Sequence, residues 1–246
     1  MTSYWRLSRA PRYSLLFALP LLVLYEVAAF LLSGDTIAGV RNGADVLLKS
    51  LFVSFGGRRG LLLFDVLLLA VGAALIIRDR RRHAEPMRAG VFLGMLGESV
   101  VGGLLFGGLA GLLTALLLRG VPRLMLAQLA SLSVPTQLTV ALGAGIYEEL
   151  LFRVLLVGGL ALFARRILGW RPAAAGVLAA TLGAVLFSAF HYVGPYGDPF
   201  TLPSFVFRLI AGLLFSAMYL LRGFGITAWT HALYDVFLIV AMGGGS

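Results

Sequence analysis

The sequence predicts an all-α polytopic transmembrane bundle, on three observations. Of its 246 residues, 60% are hydrophobic and only 13% are charged, and the mean hydropathy is +0.96. Apolar runs long enough to cross a bilayer alternate with short charged or Pro/Gly-rich breaks. No segment has the alternating pattern of a β-strand. The chain is therefore expected to be a single integral membrane domain over residues 1–246.

Seven apolar runs are expected to cross the membrane, and a shorter helix to lie between the first two. The segment 44–56 is too short to cross and carries Lys49, which predicts an interfacial or re-entrant helix, with an eighth span as the alternative. The seven expected spans lie near 13–33, 61–77, 89–118, 138–163, 173–192, 203–221 and 225–243.

The net charge of +9 indicates membrane topology rather than a nucleic-acid partner, because the arginines punctuate apolar segments. Most of them fall on one side of a seven-span arrangement, which predicts a cytoplasmic N-terminus in a bacterial or archaeal cell membrane. Among the basic residues, Arg41 and Lys49 are two of those that fall on the other side. The chain has no cysteine, so catalysis would have to use oxygen or nitrogen groups.

Three ionisable residues lie within six positions of the apolar segment GIYEELLFRVLL. Glu149 and Arg153 are four residues apart, which on a helix permits an ion pair that relieves both charges. Glu148 then needs another partner, holds a proton or binds water. A carboxylate without its own counter-ion in an apolar site is suited to act as a general base. The alternative is that all three residues only lock helix packing.

Two later spans each add a histidine motif. In LFSAFHYVGPYGDP, Phe187 and His191 are four residues apart at the end of an apolar helix. In AWTHALYDVFLIV, His231 and Asp235 share one helix face, so Asp235 could accept a hydrogen bond from the imidazole and set which nitrogen faces a site. Counted along seven spans, Glu148, His191 and His231 are expected at three different depths. A broken or tilted helix, or a chamber open to water, would bring them together.

These motifs resemble those of the CPBP (CAAX protease and bacteriocin-processing, Abi) family of intramembrane glutamic endopeptidases. EELLFR, FSAFH and HALYD match the family's EExxxR, FxxxH and HxxxN/D patterns, in order on successive spans. The resemblance identifies residues 138–243 as the catalytic core. The first 130 residues fit the family by hydropathy alone.

The resemblance implies a role for each matched residue. Glu148 would activate the hydrolytic water, with Glu149 and Arg153 supporting the site. His191 would help to hold that water, and His231 would stabilise the oxyanion. Asp235 occupies a position where the family's eukaryotic-type members have Asn; it would orient His231 or carry a proton, because an ionised Asp cannot donate to an oxyanion.

The resemblance also implies an endopeptidase that acts on a membrane-anchored protein or peptide, in contact with the lipid bilayer and without nucleic acid. C-terminal processing is the expected reaction, and Phe187 and Phe152 are candidate substrate-binding residues. No cofactor is expected, although Glu148, His191 and His231 leave a divalent metal open. A proton-coupled transporter and a non-enzymatic immunity-type protein of the same fold are the alternatives.

Overall fold

A computed structural model describes residues 3–33, 39–119, 132–194 and 197–243, which form helices and no strand. The described helices are α1 Tyr4–Arg9, α2 Pro11–Ser33, α3 Gly43–Gly56, α4 Arg58–Arg82, α5 Ala89–Leu118, α6 Val134–Gly143, the π-helical segment π1 Ala144–Val157, α7 Gly158–Arg166, α8 Pro172–Phe190, α9 Leu202–Arg222 and α10 Phe224–Gly243. The predicted all-α membrane bundle is confirmed.

Six of the described helices are long and apolar enough to cross a membrane: α2, α4, α5, α8, α9 and α10. They coincide with six of the seven predicted spans. The remaining span, 138–163, falls within a continuous helical rod formed by α6, π1 and α7, because the backbone stays helical at both junctions. Helix α3 has 14 residues, about 21 Å, which is too short to cross.

The middle of this rod differs from the α-helix expected for the EExxxR segment. All 14 residues of π1 are π-helical, with hydrogen bonds that span five residues instead of four. Such geometry is rare and is frequently found at functional sites. The segment π1 carries Glu148, Glu149 and Arg153, so the EExxxR motif lies on a π-helix and not on the expected α-helix.

Helix α10 packs against α2, α5, α6 and π1 and so lies at the centre of the bundle. It packs closely against π1 at Gly145, which faces Ala228 and Ala232. A Cβ atom added at Gly145 would lie 2.5 Å from the Ala228 carbonyl oxygen. Small residues on both helices therefore bring the motif-bearing segments into contact.

Several predicted arginines meet at one end of the bundle. Arg12, at the start of α2, pairs with Asp79 near the end of α4 at 3.1 Å. Arg9 donates to the carbonyl oxygen of Leu220, near the end of α9. Arg222 donates to the Glu98 carboxylate. These contacts fit the predicted clustering of basic residues on one side, while the compartment that this side faces stays a prediction.

The contact at Gly145 gives a test of the packing. We expect Gly145→Ala to lower the free energy of unfolding by about 1–3 kcal/mol, because the new methyl group would overpack the interface with α10. Thermal unfolding in detergent would measure the change. Gly159→Ala is the matched control, since a Cβ atom there meets nothing within 4 Å. Equal stability of the two variants would contradict the proposed close packing.

Candidate active site

Glu149 joins two functional segments through its two carboxylate oxygens. Its Oε2 lies 3.2 Å from Nε of Arg153, and its Oε1 accepts a hydrogen bond from Nδ1 of His231 at 2.8 Å. Glu149 and Arg153 are almost fully buried. The structure therefore has the predicted Glu149–Arg153 ion pair, together with a bond to α10 that the sequence did not indicate.

Aromatic rings enclose the buried guanidinium group of Arg153. Its central carbon lies 4.3 Å from the ring centre of Phe187 and 5.3 Å from that of Phe215. Phe215 also stacks on the His231 imidazole, with ring centres 4.3 Å apart. The faces of aromatic rings attract cations. This packing therefore adds to the stabilisation of Arg153 by Glu149.

The two phenylalanines that were predicted to bind substrate lie inside the bundle. Phe187 and Phe152 are buried, and their rings meet edge to face at 5.2 Å. Phe187 contacts the Arg153 guanidinium and the ring of His191. Its observed contacts are thus with the site residues, and a contact with substrate stays a prediction for both rings.

Glu148 contacts a different set of residues from Glu149. Its Oε1 accepts a hydrogen bond from Nδ2 of Asn42 at 2.9 Å. Its Oε2 is buried, makes no hydrogen bond to the described residues, and lies 4.0 Å from Nε2 of His191. The other nitrogen of His191 is 2.8 Å from the Phe187 carbonyl oxygen. Because a carbonyl only accepts, Nδ1 carries a proton and Nε2 faces Glu148.

The predicted hydrogen bond between His231 and Asp235 is not formed. Nε2 of His231 lies 3.7 Å from Oδ2 of Asp235, which is too long for a hydrogen bond. The bond that orients this ring comes from Glu149, because Nδ1 is already engaged there. Asp235 is thus near the free nitrogen of His231 without fixing the ring.

The expectation that the three motifs lie at different depths is wrong. His191 follows the last residue of α8, while His231 is in the first half of α10. Both nonetheless reach the adjacent carboxylates Glu148 and Glu149. Position along a helix gives depth only for helices that run parallel to the membrane normal, and membrane helices are commonly tilted.

Asn42, which donates to Glu148, is part of the candidate site and was not predicted from the sequence.

A group of charged residues lies beside Asn42. Lys49 lies 2.9 Å from Glu26 and 3.0 Å from Asp45. Arg41 also pairs with both carboxylates. Burial would lower the pKa values of Arg41 and Lys49, but these carboxylates raise both above their ordinary values. We call Glu26, Arg41, Asp45 and Lys49 the α2–α3 ion cluster.

A metal centre has no obvious ligand set in the described part of the chain. In residues 3–33, 39–119, 132–194 and 197–243, no three His, Asp or Glu side chains are grouped closely enough to hold an ion. The sequence had left a divalent metal open because Glu148, His191 and His231 could supply carboxylate and imidazole ligands. A metal-independent reaction stays a prediction.

Comparison with known protein families gives a match over the motif-bearing part of the candidate site. Residues 130–237 match the family model described as Type II CAAX prenyl endopeptidase Rce1-like. The chain carries a CPBP-family domain. This CPBP domain contains all three motifs, and its family supports an intramembrane CAAX-type protease that acts on a membrane-associated protein. Comparisons with curated proteins and with solved structures found no match.

The two adjacent glutamates are expected to differ in their effect on stability. Glu149→Gln should lower the free energy of unfolding by about 3–5 kcal/mol, because it leaves the buried Arg153 charge without its partner. Glu148→Gln should have little effect, since its amide oxygen can still accept from Asn42. Denaturant or thermal unfolding of both variants would measure the difference. Equal losses would contradict the division of roles between the two residues.

Proposed function

We propose that the chain is an intramembrane glutamic endopeptidase, in which Glu148 activates the water that hydrolyses a peptide bond of a membrane-anchored protein or peptide. One observation carries this proposal: Oε2 of Glu148 and Nε2 of His191 face each other at 4.0 Å. The other polar atom of each side chain is already engaged, by Asn42 and by the Phe187 carbonyl. The two facing atoms are thus the ones available for chemistry.

The 4.0 Å separation suits a single water molecule. Water at about 2.8 Å from each atom would donate one hydrogen to Glu148 and the other to His191. As the water oxygen bonds to the carbonyl carbon of the substrate, one proton passes to Oε2 of Glu148. The carbonyl π electrons move to the carbonyl oxygen, which becomes the oxyanion. Glu148 therefore acts as the general base.

In the second half of the reaction Glu148 returns its proton, and His231 stabilises the oxyanion. His231 in its doubly protonated form can donate from Nε2 to the oxyanion, while Glu149 holds Nδ1. The oxyanion then collapses, the C–N bond breaks, and the proton held by Glu148 moves to the leaving amine. Asp235, at 3.7 Å from Nε2, lies where it can interact with this ring during the reaction.

The arrangement favours a protease over a transporter because it assigns different tasks to the paired and unpaired carboxylates. A relay of protons needs a series of exchanging groups, whereas Glu149 is held in an ion pair with Arg153 and bonded to His231. We further propose C-terminal processing of the substrate, a cytoplasmic N-terminus and a reaction without a metal ion.

Cleavage by protein reconstituted in lipid tests this function. A library of membrane-anchored peptides should be cut by the wild type, and Glu148→Gln should lower kcat by about 10²–10⁴-fold, because the general base is lost. His191→Ala should also lower kcat. The control is Glu85→Gln, which makes the same chemical change at an exposed carboxylate paired with Arg88. A chelator should leave the rate unchanged.

Three outcomes would contradict the proposal. Wild-type rates in Glu148→Gln would exclude this residue as the base. Loss of cleavage on chelation, restored by a divalent metal, would replace the glutamic mechanism with a metal-dependent one. The absence of any peptide product from folded wild-type protein, together with ion-gradient-dependent uptake, would support the transporter.

A further inference from the structure

Asn42 is a buried residue whose polar groups are all bonded. Its side-chain Oδ1 accepts a hydrogen bond from the backbone N–H of Ala44 at 2.8 Å. Its Nδ2 donates to Oε1 of Glu148 at 2.9 Å. Its own backbone N–H donates to the hydroxyl of Tyr25 at 3.0 Å. One asparagine thus caps the start of α3 and contacts the carboxylate at the centre of the site.

The cap determines which way the amide group faces. The N–H of Ala44 can only donate, so it requires the carbonyl oxygen of the Asn42 side chain. The NH₂ group must then face Glu148. This donor engages Oε1 of Glu148 and favours the ionised carboxylate. Oε2 is left facing His191 as the oxygen able to accept a proton from water.

The surroundings of Asn42 prevent it from moving away from Glu148. Tyr25, which accepts from the Asn42 backbone, donates its own hydroxyl hydrogen to Asp45 at 2.7 Å. Asp45, in the first turn of α3, belongs to the α2–α3 ion cluster and pairs there with Arg41 and Lys49. Gly143 allows α6 to approach both residues, since a Cβ atom there would lie 2.5 Å from Cε2 of Tyr25 and 2.6 Å from Cβ of Asn42.

We infer that Asn42 is the positioning residue of Glu148, and that the α2–α3 ion cluster holds it in place. Asn42 favours the ionised form of Glu148 by donating to Oε1, and it leaves Oε2 as the oxygen that takes the proton from water. The catalytic meaning of this inference rests on the proposed function. The hydrogen bond from Asn42 and its effect on the ionisation of Glu148 do not depend on that function.

Other charged or titratable groups also face Glu148 and would stay in place in variants of Asn42. They are Glu149 and Arg153 on π1, His191 after α8, and His231 and Asp235 on α10. A change that follows replacement of Asn42 by an uncharged side chain can therefore be assigned to the lost amide donor.

Two variants separate positioning from capping. Asn42→Asp and Asn42→Ser both retain an oxygen able to cap α3, since Asp and Ser are favoured N-cap residues. Both lose the NH₂ donor to Glu148. We expect Asn42→Ser to unfold near the wild-type temperature, to lose about tenfold in kcat with little change in KM, and to shift the acidic limb of the pH profile upward by about one unit. Asn42→Asp also places a second carboxylate beside Glu148, so it should shift the acidic limb further in the same direction. If Asn42→Asp does not fold, the result for Asn42→Ser alone tests the inference.

An infrared measurement tests the inference without requiring turnover. Isotope-labelled glutamate, with the spectrum of Glu148→Gln subtracted, isolates the carboxyl band of Glu148 as a function of pH. In Asn42→Ser, Glu148 should take up its proton at a pH about one unit higher than in the wild type. The same protonation pH in both folded proteins would overturn the inference. A shift in a protein that cleaves no peptide would instead uphold the inference and refute the proposed function.

Discussion

The buried carboxylate of Glu149 is the interaction on which the rest of the site depends. In an apolar interior a charge is tolerated only when a partner compensates for it, and Glu149 compensates Arg153 on its own segment while binding His231 on α10. It therefore ties the EExxxR segment to the last span. The same arrangement leaves Glu148 without an ion pair of its own, next to His191. In the proposed mechanism, Glu148 is therefore the carboxylate that exchanges a proton with water.

Close packing between helices makes these side-chain bonds possible. Gly145 brings π1 against α10, and Gly143 brings α6 against Asn42 and Tyr25. A Cβ atom at either position would lie 2.5 Å from an atom of the facing segment, so a larger residue would not fit without moving the helices apart. The aromatic rings of Phe187 and Phe215 fill the space around Arg153. Small residues and large rings thus act together: the first allow the approach, and the second exclude water from the ion pair.

Much of the fold and part of the site could be predicted from sequence, because these depend on local patterns. Apolar runs located the spanning helices, and the four-residue spacing of Glu149 and Arg153 indicated their ion pair. The features that were missed depend on contacts between distant segments. Asn42 is 106 positions from Glu148, and no spacing rule connects the two. His231 was assigned to Asp235, its neighbour on the same helix, whereas Glu149 from another segment binds it. The π-helical geometry of residues 144–157 also has no recognised sequence pattern.

Single-turnover cleavage in oxygen-18 water tests the central claim most directly, because it reports which oxygen attacks the peptide bond. If Glu148 activates water, the new C-terminal carboxylate should contain one oxygen-18 atom after the first turnover, and the peptide that carries Glu148 should contain none. Mass spectrometry of both species would measure this. An unlabelled product together with labelled Glu148 would show that the carboxylate attacks the substrate itself, and would contradict its role as a general base.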